Sequence, residues 1–411
     1  MRITNNINTR FYDSPSLDAF GRLRVSNPTT IFDSKQIHET QSLLWEDLQV
    51  SGSGTTTSHS SNLASTTIGV TANTTGKRIR RTYQRFNYQP GKSQSVLLTA
   101  QMVSQTSLIG IKTAIGIFDD NNGCYVATEN GVLKIVIRSK TSGSVVNTKV
   151  SQVDWNLDRL DGTGDSGIRI DITKTQIIVI DFEWLGVGRV RFGFNIDGIT
   201  YYCHEVLHAN SLSVVYMSTP NLPLTYEIEN DGTGAATTMQ HICSTVISEG
   251  GRQSIGLVQS ISNGTTEVTA TNAGVYYALL GVRIKSTHIG ETIIPENVSV
   301  AITSAGAFEW QLRLNPTVAS TFTYSDVTNA GFQKATGVSA NTVTGGTILA
   351  QGYGSSSGTG GSAVGATGSS LSNALLLGSN YAGVFDTLVL CVASVGAGDT
   401  FLGGMTLRQL S

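Results

Sequence analysis

The sequence predicts an all-β protein: two β-sandwich domains, of jelly-roll or lectin-like type, preceded by an extended N-terminal arm. Three observations carry this expectation. Only 14% of the 411 residues are charged, against about 25% in an average soluble protein. Glycine supplies 45 of 411 residues, or about 11%, against a usual ~7%. Apolar residues fall in short runs bounded by Gly, Asn and Asp rather than at the i, i+3, i+4 spacing of helices. Such a chain is poor in long charged helix formers, so short strands and polar turns suit it. Its length exceeds one typical domain.

Residues 1–45 read as the arm. The stretch LDAFGRLRVSNPTTIFDSK (17–35) sets Phe20, Leu23, Val25, Ile31 and Phe32 among Arg22, Arg24 and Lys35. Gly21 and Asn27-Pro28 break any helix there. It has no unbroken apolar core of the kind a secretory signal carries. These apolar side chains are too many to leave in water. They are expected to lie extended in a groove of a partner subunit, with Arg22 and Arg24 gripping acidic groups at its rim. The alternative is that the arm folds back on its own first sandwich as an edge strand. An arm that only docks implies that deleting residues 1–35 leaves a folded protein.

The first sandwich is expected over 46–248. Residues 51–76 read as polar loop with short strands. Strand runs follow at 95–103, 113–119, 131–139 and 176–184. RVRFGFNIDGITYYCHEV (189–206) reads as a hairpin, with Asp197-Gly198 as a type I′ turn. That turn would pair Ile196 with Ile199, Phe194 with Tyr201 and Phe192 with Cys203 on one core face. Gly250-Gly251 marks a seam. The second sandwich is expected over 252–411, with strands at 254–286, 298–315, 383–394 and 400–410. QGYGSSSGTGGSAVGATGSS (351–370) reads as a flexible Gly/Ser-rich loop. No period of 20–50 residues points to a solenoid or propeller.

The chemistry-bearing residues suggest no catalytic centre and no cofactor. Cys203, His204, His208, His241 and Cys243 superficially resemble metal ligands. Cys203 and His204 are adjacent on a strand and point to opposite faces, and His241 and Cys243 share a face, but two ligands do not make a site. The four cysteines are widely spaced and read as free thiols. Asp181 and Glu183 share a strand face about 7 Å apart, a spacing a glycosidase pair tolerates. Asp119-Asp120 is another acid pair. DRLDGTGDSG (158–167) reads as a solvated turn, or at most as a calcium loop without the EF-hand pattern. KRIRRTYQRFNYQPGK (77–92) is the strongest basic patch, with Tyr83, Phe86 and Tyr88 interleaved. It suits an exposed strand face or a protein contact better than nucleic acid. Trp155 stands beside an Asp/Gly-rich turn and is the candidate for an exposed glycan contact; core packing is the commoner fate of Trp45, Trp184 and Trp310. A net charge of −2 argues for neither nucleic acid nor an anionic membrane. No apolar run is long enough to span a bilayer as a helix.

DAFGRLRVSNPTTIFDSK (18–35) resembles an N-terminal segment of structural proteins of tailed-bacteriophage particles. DFEWLGVGRVRFGF (181–194) and YMSTPNLPLTYEIEN (216–230) resemble the domain that follows it there. The likeness spans roughly 15–35 and 175–245. It implies a non-enzymatic virion component of the capsid surface, baseplate or fibre, assembled in the host cytoplasm. Its partners would be other virion proteins and copies of itself, with host surface glycan as a further one. The rival expectation is a glycan-binding or glycan-cleaving receptor-recognition protein of the tail.

Overall fold

A computed structural model describes residues 27–253, 255–356, 363–367 and 377–410. Phe20, Arg22, Leu23, Arg24 and Val25 lie outside the described residues. The chain is all-β. It begins with β1 (Thr29–Lys35), β2 (Trp45–Gly52), β3 (Thr55–Ser60), β4 (Ser65–Val70) and β5 (Gly76–Thr82). Next come β6 (Gln94–Gln101), β7 (Ile111–Phe118), β8 (Gly123–Glu129), β9 (Val132–Ser139) and β10 (Val146–Ser151). The first sandwich ends with β11 (Gln176–Phe182), β12 (Val190–Ile196), β13 (Ile199–Val206), β14 (Leu224–Asn230) and β15 (Thr237–Ser248).

One sheet of this sandwich runs β13-β12-β11-β6-β15-β4-β3, and the other runs β10-β9-β8-β7-β14-β5-β2. Alternate residues of both point inward. Val96, Leu98, Ile178 and Phe192 meet Ile115, Val126, Ile135 and Tyr226 in a single core. β1 completes the first sheet: its Phe32–Lys35 pair with Val246–Cys243 of β15, beyond the stretch that β4 occupies. The sandwich therefore begins near Thr29 rather than at residue 46. Ile31 falls at a register shift and Phe32 follows it. Such a bulge lets two consecutive side chains turn to one face, and both pack against the core. This is the fold-back arrangement. Phe32 is buried by its own chain and is not free to fill a partner's groove.

The hairpin forms as expected at its tip. Asp197 and Gly198 have φ of 52° and 83°, as a type I′ turn requires. Ile196 pairs with Ile199 and Phe194 with Tyr201. Then the register slips, because Gly193 pairs with Tyr202 and Phe192 with His204. Cys203 is the extra residue of a bulge and does not oppose Phe192 in the ladder. A Cβ on Gly193 would lie 2.7 Å from the Tyr201 carbonyl oxygen, so glycine permits the close approach. The bulge buries both Cys203 and His204, where regular alternation would separate them.

The second sandwich comprises β16 (Leu257–Ser262), β17 (Val268–Ala270), β18 (Tyr276–Ile284), β19 (Thr292–Ile302), β20 (Gly306–Leu314) and β21 (Thr317–Val318). It continues through β22 (Ser325–Asp326), β23 (Phe332–Thr336), β24 (Val343–Thr344), β25 (Thr347–Ser356), β26 (Ala363–Thr367), β27 (Thr387–Ser394) and β28 (Asp399–Leu410). Its sheets run β16-β28-β19-β26, with β17 also on β28, and β22-β23-β18-β27-β20-β25. Phe308, Trp310, Leu390, Phe401 and Leu407 lie in the core between them. The Gly/Ser tract is not simply a loop. Residues 351–356 finish β25 against β20, and 363–367 form β26 on β19. Backbone pairing needs no particular side chain, so small residues serve there.

The two sandwiches touch through polar contacts. Asn221 Nδ2 donates to Gly290 O at 2.9 Å, and Ser379 N donates to Tyr83 O at 3.2 Å. Tyr381 N donates to Glu46 Oε2 at 2.6 Å, and the Arg81 guanidinium lies 4.9 Å from the Tyr381 ring centroid.

Candidate functional site

The basic patch is spent inside the molecule. Lys77 meets Glu227 at 2.9 Å, Arg78 meets Asp47 at 2.6 Å and Arg85 meets Asp119 at 2.7 Å. Arg81 reaches Asp120 at 3.4 Å. Arg80 is buried, with Nε donating to His241 Nδ1 at 3.0 Å and Nη2 donating to Gln36 Oε1 at 2.7 Å. Lys92 Nζ donates to the Gly251 carbonyl at 2.9 Å. The neighbouring strands β2 and β14 and the turn between β7 and β8 supply the matching carboxylates, so the run presents no array of uncommitted cations to a phosphate backbone.

The acid pairs are similarly engaged. Arg191 pairs with Asp181, and Tyr202 donates to Asp181 Oδ2 at 3.2 Å. Glu183 Oε1 accepts from the Arg189 N–H at 3.2 Å. Asp119 accepts from the Asn121 and Asn122 N–H groups at 2.8 Å each. Burial raises its pKa, but Arg85 and these donors win and hold it below the usual range. In 158–167, Asp158 accepts from Leu160 N at 2.9 Å and Ser166 N at 2.8 Å, and Asp161 accepts from Thr163 N at 2.8 Å. This is turn chemistry. Among the described residues no group of three or more His, Cys, Asp or Glu is placed to hold a metal. All four cysteines are free thiols.

Trp155 is not an exposed glycan platform. It is 5% exposed and packs in the first core, with Nε1 donating to Val150 O at 3.4 Å. The reason lies in its neighbour. Asn156 uses both ends of its amide on Glu205, accepting from its N–H and donating to its C=O, each at 2.9 Å. That side chain imitates a strand partner for β13 and draws Trp155 between the sheets. Trp155→Ala is expected to cost about 3–5 kcal/mol of stability, measured as a shift in the urea midpoint. A variant with unchanged stability would contradict this placement.

Two open clefts lie among the described residues of this sandwich: a polar one of about 340 Å³ into which Asp181, Glu183, Arg189 and Arg191 converge, and an apolar one at the sheet edges. β10 and β13 are the outermost strands of their sheets and flank the same mouth. The cleft between them holds about 470 Å³. Ile135, Ile137 and Val150 form its floor, and Tyr216 stacks on His208 with centroids 4.2 Å apart. His208 Nδ1 donates to the Gly188 carbonyl at 2.6 Å, and burial lowers its pKa. The ring is neutral at pH 7, and no Asp, Glu, Lys or Arg lines the cleft. The rim is apolar and wet: Val146 is 52% exposed, Leu207 62% and Val214 60%. Among the described residues β10 pairs only with β9, and its outer backbone groups have no ladder partner there. The sequence carried half of this signal. Val146, Thr148 and Val150 alternate inward on β10, but the rim at 207–216 follows no strand period.

No protein-family model and no curated protein matches the chain. Solved structures with partial likeness include an endo-1,3-beta-glucanase from Streptomyces sioyaensis, 11% identical, covering 56% of this chain and 99% of its own, with a TM-score of 0.38. The CBM2 module of an evolved Dit from Lactobacillus casei BL23 phage J-1 is 7% identical, covering 56% and 100%, with a TM-score of 0.37. A legume lectin-like domain from Entamoeba histolytica is 9% identical, covering 54% and 97%, with a TM-score of 0.32. Scores this low leave the chemistry to be argued from the chain's own geometry.

Proposed function

We propose that the chain is a non-enzymatic structural component of a phage particle that assembles through the edges of its first sandwich. The open apolar cleft between β10 and β13 carries this reading. Its occupant is a second copy of the same chain. Edge strand β10 offers an unpaired backbone beside apolar side chains, and the same strand of a second copy complements it about a two-fold axis. No ion on the cleft walls need lose its water when two copies meet. The resemblance of 18–35, 181–194 and 216–230 to virion proteins supports the particle context. The segment with Phe20, Arg22, Leu23, Arg24 and Val25 is assigned to docking on other virion proteins.

The test is the solution mass of the full chain by light scattering at about 50 µM, beside Val146→Asp and Leu212→Asp. Both side chains are over 40% exposed, so the substitutions should leave the fold intact. The wild type is expected to be a dimer or larger and the variants monomers with unchanged Tm. A monomeric wild type, or variants that still associate, would overturn the cleft assignment.

A further inference from the structure

A further cavity lies where the two sandwiches meet, and it goes beyond the assembly reading. It holds about 480 Å³, within the ~300–1,000 Å³ of small-molecule sites, which favour domain junctions. The first sandwich contributes Glu46 and Tyr83, and the second contributes Asn315, Val384, Phe385 and Asp386. We infer that this cleft binds an uncharged carbohydrate.

The lining excludes other ligand classes. Two carboxylates and no Lys, Arg or His line the cavity, which disfavours phosphates and acidic sugars. Neither carboxylate is a bare charge awaiting a cation. Asp386 Oδ1 accepts from Asn315 Nδ2 at 2.6 Å, and its Oδ2 accepts from Gly378 N at 2.9 Å. Glu46 Oε2 accepts from Tyr381 N at 2.6 Å. A carboxylate has about four lone-pair sites, so each retains capacity for a hydroxyl donor. Tyr83 lies near both, and burial with these two neighbours raises its pKa. Its hydroxyl therefore stays protonated and can both donate and accept. Phe385 and Val384 add an apolar wall for the C–H face of a sugar ring. Acceptors, one hydroxyl and an apolar wall in one cavity fit a polyhydroxylated neutral ring.

The site is also built rather than incidental. Val384 sits on a tight loop in which Ser379 bridges Phe385 and Asn380 Oδ1 accepts from Val384 N at 2.8 Å. That loop is held to the first sandwich by the Tyr381–Glu46 bond.

The test uses the full chain and saturation-transfer NMR with a panel of neutral oligosaccharides, beside an acidic oligosaccharide, spermidine and calcium chloride. At least one neutral glycan is expected to bind, and Val384→Trp is expected to weaken it at least tenfold. Val384 is 64% exposed, so this variant should fill the mouth without disturbing the core. A second variant, Leu43→Arg, blocks the cleft from the first sandwich, where Leu43 is 51% exposed. Binding untouched by both variants would overturn the location. No binding by any neutral glycan, or displacement of the glycan by spermidine or calcium, would overturn the ligand class. The oligomeric state, which tests assembly, is measured separately and does not depend on these results.

Discussion

Deleting residues 1–36 is expected to unfold the first sandwich, whereas deleting residues 1–26 should shift its Tm by no more than about 4 °C. The longer deletion removes β1 and what it holds. Phe32 packs on Trp45 and Phe86, with ring centroids 6.1 and 5.0 Å away. Removing such a side chain costs about 3–5 kcal/mol. The polar losses add to this. Ser34 Oγ accepts from Trp45 Nε1 at 2.8 Å. Gln36 Oε1 accepts from Thr66 Oγ1 at 2.8 Å and from buried Arg80 at 2.7 Å. Burial pulls the Arg80 guanidinium down to about 10, so it is still charged at neutral pH and must keep its acceptors. Leaving such groups unpaired costs about 1–3 kcal/mol each, more for a charge. The sum rivals the ~5–15 kcal/mol that holds a whole domain together. Soluble yield and urea unfolding of the two truncations decide the matter. A folded 37–411 protein would show that β1 is an accessory strand, as a pure docking arm would be.

This outcome differs from the expectation for residues 17–35, and the reason is physical. A seven-residue strand with Pro28 before it and a bulge at Ile31 shows no clean period of two. Its partner β15 lies some 200 residues away. The hairpin tip was legible because Asp-Gly is a local signal, while the Cys203 bulge depends on how Gly193 meets the opposite backbone. The basic patch misled for the same reason as the arm. Arg78 finds its carboxylate on β2 and Lys77 on β14. A run of charges reads as a surface until the sheet register places a counter-charge beside each one. The all-β class survived because composition and strand periodicity are local. Neither the β10–β13 cleft nor the junction cleft was legible as a whole: the alternation along β10 gave one wall of the first, and the junction cleft joins segments some 300 residues apart in sequence.

Acid should lower this protein's stability over two pH windows, and Glu227→Gln should make the second loss shallower, leaving the part that Asp119 and Glu129 contribute. Glu227 faces outward on β14 yet is fully buried. The register explains it. Glu227 pairs with Ile79 on β5 and Ala114 on β7, so Lys77 and Lys112, two residues along, lie diagonally on either side. Their ammonium groups come to 2.9 and 3.1 Å and cover the carboxylate. Burial alone would raise its pKa, but the two lysines outweigh that and hold it down at about 2. The folded state thus binds fewer protons at this carboxyl than the unfolded state. Its contribution is full above about 4.5 and drains as pH falls toward 2. A shift of that size corresponds to about 3 kcal/mol. His241 titrates earlier. Full burial and the Arg80 cation hold its pKa well below 6.5, so the neutral ring is the folded form. Its contribution is present above about 6.5 and is lost as pH falls below that value. Urea midpoints from pH 8 to pH 2 should therefore fall first below 6.5 and again below 4.5. Against the wild type, Glu227→Gln should lose about 3 kcal/mol at pH 7 and almost nothing near pH 2. A gap between the two proteins that is as wide at pH 2 as at pH 7 would mean that packing, not the paired charge, is what Glu227 contributes.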